Sequence, residues 1–161
     1  MHMLRTMLDD GAALSGHPND EPFVRVLRTM RERYEGKDIS TREFQKLLEE
    51  ELPPSLKYED RASLDWFFDN WVNGSAIPHI EIKDVRFTRR GASAIATATL
   101  TQKDAPDQLV TSVPIYAETS TGLKLVARSF ADGPETKVRI AVPAGTKRLV
   151  VDPHQTILSR P

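Results

Sequence analysis

Four histidines, His2, His17, His79 and His154, are the nitrogen ligands that this 161-residue chain could offer a transition metal, and with no cysteine it offers no thiolate. A helical zinc site of the H-E-x-x-H type needs two imidazoles one turn apart, with a glutamate between them to serve as base. No two of these histidines stand at that spacing. His17 opens the run HPNDE, whose proline interrupts the helix that such a site requires. Carboxylates offer a second chemistry. Glu49, Glu50 and Glu51, with Glu59 and Asp60 further on, are numerous enough to supply a glycosidase-type acid and base. Runs of this kind more often form a solvated charged face, and we read them so. Serine-hydrolase, phosphate-cradling and thiol chemistry all lack their parts: there is no G-x-S-x-G elbow, no G-x-G-x-x-G frame among the 8 glycines, and no cysteine. Asn73-Gly74-Ser75 matches a glycosylation sequon, but the first residues do not read as a secretory signal, so the tripeptide reads as a turn.

The remaining concentration of unusual side chains is aromatic. SLDWFFDNWVNGSAIP, residues 63–78, holds Trp66, Phe67, Phe68 and Trp71 and then stops on Gly74 and Pro78. On a helix capped by Ser63, Phe67, Phe68, Trp71 and Val72 share one stripe with Leu64, whereas Trp66 points partly sideways. A stripe at helical spacing builds core more often than it builds a ligand platform. The four aromatics are therefore expected to be interdomain packing residues, a joint between a helical half and the strands that follow, with Trp66 reaching toward the sheet.

The elements that would position these residues follow from periodicity. Leu4, Met7 and Leu8 lie on one helical face with no capping residue before them. This reads as the remainder of a longer helix, whose stripe should be partly exposed and should pair two copies of the chain through the helical half. Asp20 is the expected N-cap of a second helix, with Pro22 in its first turn, Phe23, Val26, Leu27, Met30 and Tyr34 as its stripe, and Gly36 at its end. STRE is a capping box, Ser40 with Glu43, opening a third helix with Phe44, Leu47 and Leu48 inward, ended by Pro53-Pro54. Gly74 is expected to close the aromatic helix.

Beyond Pro78 the period changes to two. HIEIKDVRF alternates Ile80 and Ile82, then Val85 and Phe87, with a parity slip at Lys83-Asp84 that predicts a bulge. SAIATATL, QLVTSVPIYAE, LKLVARSF, TKVRIAV and KRLVVD are further strands, separated by turn signals such as Thr121-Gly122 and Asp132-Gly133, with a last short strand expected at 156–158. The predicted class is α+β: a helical segment over residues 1–74, then an antiparallel, immunoglobulin-like β-sandwich over 75–161. With 22 basic and 23 acidic residues the net charge is -1, which gives no electrostatic footprint for nucleic acid, and no apolar run is long enough to span a membrane.

These residues carry a resemblance. YEGKDISTREFQKLLEEE, SLDWFFDNWVNGSAIPHIEI and RLVVDPHQTIL resemble the segment downstream of the active site in zinc aminopeptidases of the aminopeptidase N family. The specific features are Thr41 with Phe44, Trp66-Phe67-Phe68 with Trp71, Gly74 and Pro78, and Asp152-Pro153; HMLRTML is similar to the helix after the family's catalytic tyrosine. The resemblance covers nearly the whole chain. It implies that residues 1–74 are the helical end of a peptidase catalytic domain and that the sandwich follows it. It also implies that the zinc motif and the tyrosine lie upstream, so that no catalytic, cofactor-binding or metal residue is placed on this chain. Zinc would belong to the intact enzyme, whose upstream catalytic domain would be the partner of this segment. The alternative is a stand-alone β-sandwich module that binds protein or carbohydrate.

Overall fold

A computed structural model describes residues 1–160. The chain divides into two compact units, Met1–Asn73 and Gly74–Pro161, the first helical and the second built of antiparallel strands, so the class is α+β.

In the first unit α1 is His2–Leu14, α2 is Pro22–Tyr34 and α3 is Thr41–Glu50. The capping box forms as expected: the Glu43 amide donates to Ser40 Oγ at 3.2 Å, and the Ser40 amide donates to the Glu43 carboxylate at 2.8 Å. Two expectations about α1 and α2 are corrected. Leu4, Met7 and Leu8 are not exposed but buried at 4%, 1% and 1% of their free surface, because α1 packs on α2 and on a 3-10 turn at Pro54–Leu56. That leaves no leucine stripe on α1 to pair two copies of the chain. The N-cap of α2 is Glu21, not Asp20. Asp20 instead receives the Glu21 amide and an ion pair from Arg25, because a carboxylate one residue too early reaches only the entry of the helix. Gly36 follows the end of α2 with φ +71°, a conformation that costs glycine nothing.

The aromatic helix differs most from its expected form. A single α turn, α4 at Asp65–Phe67, widens directly into a π turn at Phe68–Val72, in which the Asn73 amide donates to the Phe68 carbonyl at 2.9 Å. Ser63 does not cap it in the usual way; its hydroxyl accepts the Asp65 amide, and Leu64 holds the N-cap position. Gly74 follows the C-cap Asn73, where the residue closing the helix is expected, and its φ is not among the positive ones.

The second unit contains β1 (His79–Arg90), β2 (Ser93–Lys103), β3 (Val110–Thr119), β4 (Gly122–Asp132), β5 (Glu135–Pro143) and β6 (Arg148–Val151). They form two three-stranded antiparallel sheets of order β1-β2-β5 and β4-β3-β6. Alternation sorts the faces. Ala94, Ala96, Ala98 and Leu100 of β2 are buried along with Ile140 and Val142 of β5, while Val113, Ile115 and Ala117 of β3 are fully enclosed. The bulge predicted at Lys83-Asp84 is present as a register shift between Lys83 and Arg86, with Asp84 at φ +53°. Buried polar groups on β2, β3 and β4 are tied together: Thr111 donates to Gln102 Oε1 at 2.6 Å, Gln102 Nε2 donates to the Leu109 carbonyl at 2.8 Å, and Arg128 donates to the Ser112 hydroxyl and carbonyl at 3.0 and 2.8 Å. Such groups would be costly to bury unpaired.

The strand expected at 156–158 is absent. Asp152, at φ +40°, turns its carboxylate onto the following loop, accepting from the Thr156 amide and hydroxyl, both at 2.7 Å, and from the Ile157 amide at 2.9 Å. With its amides satisfied by a side chain, this segment has no need of a ladder partner, and Ile157 is held at 5% exposure.

Candidate functional site

The aromatic run belongs to the segment Met1–Asn73. Trp66, Phe67 and Phe68 are buried at 7%, 4% and 5% exposure, and they stack edge to face in sequence, with centroids 5.7 Å apart for Trp66 and Phe67 and 5.8 Å for Phe67 and Phe68. Edge-to-face packing of this kind places the positive ring edge of one residue on the negative face of the next. Burial closes these faces to a ligand, so three of the four aromatics are core. Trp71 and Val72 depart from their expected places: Trp71 is half-buried and Val72 is 48% exposed. The π turn is the reason. One extra residue per turn carries positions 71 and 72 off the stripe that Leu64, Phe67 and Phe68 occupy.

The carboxylates are structural anchors. Glu51 receives Arg25 Nε and Nη2 at 2.9 and 2.7 Å, and Glu50 receives both terminal nitrogens of Arg33 at 2.7 and 3.0 Å. These two pairs tie α3 to α2. Glu49 turns the other way and accepts the Leu64 amide at 2.7 Å, thereby satisfying a free N–H at the start of α4. Glu59 pairs with Arg61 in a surface turn where Glu59 and Asp60 both have positive φ.

A polar cleft of about 530 Å³ opens between α3 and the aromatic turns, lined by Arg42, Gln45, Lys46, Glu49, Asp65 and Asp69 among others. Gln45 Nε2 bridges Glu49 Oε1 and Asp65 Oδ1 at 2.9 and 2.7 Å. The hydrogen bonds from Gln45 and then Ser63 hold the Asp65 carboxyl below its usual range. A general acid needs the opposite, a carboxyl raised toward neutrality. The cleft is a bridged cap between helices.

The histidines are dispersed. His2, His17 and His154 are exposed, the last with its ring edge-to-face on Tyr116 at 5.2 Å, and His79 is part-buried beside Glu81. Among the described residues no three histidine, aspartate or glutamate side chains converge as a metal ligand set. No helix among them is long and apolar enough to cross a membrane.

Sequence reasoning missed a charged face that only strand register assembles. The overall charge of -1 divides unevenly: residues 1–73 carry 10 basic and 15 acidic side chains, and residues 74–161 carry 12 and 8, or -5 against +4. On the β1-β2-β5 sheet, Lys83 pairs across to Thr99 and Thr99 to Lys137, while Arg86 pairs to Thr97 and Thr97 to Arg139. Directly opposed residues share a face. Two rows of cations thus flank two threonines on the side opposite the buried alanines. A signal was present in the alternation of KVR at 137–139, but its partners lie some forty or fifty residues earlier in the chain.

Beside these rows Glu81 sits among basic side chains. Lys83 Nζ is 2.8 Å from it, His79 Nε2 3.4 Å and Lys103 Nζ 3.5 Å. The hydrogen bonds from Lys83 and then His79 lower the Glu81 carboxyl from its ordinary 4.5 to about 2. A depressed carboxyl favours the folded state above the unfolded value, and this contribution is lost as pH falls from 4.5 toward 2. In a carbon-detected titration Glu81 should stay ionised down to about pH 2 and move back toward 4.5 in Lys83→Met. An ordinary midpoint in the unaltered chain would show that the Lys83 bond does not persist in solution.

No protein-family model, curated protein or solved structure matches this chain.

Proposed function

We propose that the chain is the C-terminal, non-catalytic portion of a zinc aminopeptidase of the aminopeptidase N family: the helical end of its catalytic domain followed by an immunoglobulin-like sandwich. One observation carries this reading. The motif residues that resemble the family are the ones with structural employment here: Ser40-Thr41-Glu43 opens α3, Trp66-Phe67-Phe68 is core, and Asp152 holds the loop after β6. The strand distribution supports the sandwich. β1, β2 and β5 in one sheet and β4, β3 and β6 in the other is compatible with the A-B-E and C′-C-F part of an immunoglobulin-type division, with no G strand among the described residues.

In the intact enzyme zinc would activate a water for attack on a peptide bond near a free N-terminus. Among the described residues no three histidine or carboxylate side chains converge to hold that ion, Glu49, Glu50 and Glu51 being engaged by the Leu64 amide, Arg33 and Arg25. No step through the metal is therefore assigned to them, and their work is to complete and support the fold. The isolated chain should hold less than a tenth of an equivalent of zinc after dialysis against a weak chelator and should hydrolyse aminoacyl anilides only at background. Stoichiometric zinc with turnover would refute the proposal.

The second reading, a β-sandwich module that binds another protein or a carbohydrate, is favoured by the cationic rows of the β1-β2-β5 sheet.

A further inference from the structure

We infer that the outer face of the β1-β2-β5 sheet binds an extended, acidic protein segment, with Arg86, Arg139 and Lys137 as its main contacts. All three side chains are exposed, and none takes part in an ion pair or side-chain hydrogen bond among the described residues. Lys83 completes the array but is already engaged by Glu81. The cations border a shallow cleft of about 500 Å³ whose floor includes Thr97 and Thr99 and whose edge includes Asp84.

The geometry selects the kind of ligand. Arg86 and Arg139 stand on the two strands that flank β2, so their Cα atoms are about 10 Å apart, twice the interstrand spacing. Each arginine side chain spans about half of that separation, so one carboxylate of a ligand can meet both guanidinium groups. Along β5, Lys137 and Arg139 are two residues apart and on one face, a distance of about 6.8 Å. An extended peptide with carboxylates at alternate positions repeats at the same distance. Thr97 and Thr99 supply hydroxyls between the cations for a peptide backbone. Single-stranded nucleic acid is bound on faces where aromatic rings stack the bases, and the residues of these two rows include no aromatic side chain. The +4 charge of the second unit would steer an acidic segment toward this face and make the affinity depend on salt.

The test uses the full chain and a fluorescein-labelled Glu-Thr repeat peptide of about ten residues, followed by anisotropy. Binding is expected at about 20 mM salt and should weaken at least tenfold by about 300 mM. Arg86→Glu/Arg139→Glu should abolish it, and Arg86→Gln/Arg139→Gln should reduce it about tenfold. Lys124→Glu/Lys147→Glu, equal in charge change but on or beside the other sheet, should retain the affinity of the unaltered chain. Matching denaturation midpoints establish that each variant is folded. No binding at low salt would overturn the inference, as would equal loss in the Lys124/Lys147 variant. It would also fall if a sulfated oligosaccharide or an oligothymidylate bound more tightly than the acidic peptide.

Discussion

Replacing Phe67 by alanine should lower the free energy of unfolding by about 3–5 kcal/mol, the cost of emptying a buried aromatic site. Phe67 is 4% exposed and is held edge to face by a ring on either side, so neither Trp66 nor Phe68 can fill its place without losing its own partner. Trp71→Ala should cost less, about 1–2 kcal/mol, because the π turn leaves that ring half-buried. The order is informative. Had the run continued as a regular helix, Trp71 would lie one turn above Phe67 on the same stripe, and the larger side chain would be the more costly loss. Urea denaturation of both variants checks this. Equal effects, or a greater one at Trp71, would contradict the π turn as the reason Trp71 leaves the core.

Gly11→Val should destabilise by about 3 kcal/mol, the upper end of what overpacking costs. A glycine in mid-helix sacrifices about 1 kcal/mol relative to alanine, so its presence in α1 calls for a steric reason. The reason is Pro53. A Cβ built on Gly11 would stand 2.2 Å from Pro53 Cγ and 2.9 Å from its Cβ, with Ser55 Oγ at 3.1 Å. A proline ring cannot rotate away as a flexible side chain would. Gly11→Ala should therefore destabilise also, by about 1–2 kcal/mol after its propensity gain is counted. Pro53→Ala should recover part of that loss in the double variant, since neighbours that share a contact do not add. A Gly11→Ala protein more stable than the original would mean that α1 does not approach the Pro53 turn this closely.

Local chemistry was the legible part of this fold. The Ser40-Glu43 box, the Gly36 terminus and the bulge at Lys83-Asp84 depend on residues within one turn or one strand, and each is where its residues direct it. What the sequence did not display depends on distant partners. Leu4, Met7 and Leu8 look like an unpartnered stripe until α2 and the Pro54–Leu56 turn are folded against them. At the widening of the aromatic helix the Asn70 side-chain amide donates to the Trp66 carbonyl at 2.6 Å, a bond that the apolar stripe does not display. Asp152 reads as part of a strand's end, yet it serves the loop that follows. The cationic face is the extreme case: Arg86, Thr97 and Arg139 become neighbours only through two strand registers.

If the chain is the non-catalytic end of a zinc aminopeptidase, as proposed, its side chains are structural and the chemistry belongs to an upstream segment. Sequencing the reading frame that precedes the codon for Met1 tests it most directly. The proposal requires an in-frame H-E-x-x-H motif with a later glutamate ligand and, closer to Met1, a tyrosine on the segment leading into α1. A frame that opens at Met1, or one that runs upstream without any such motif, would contradict it.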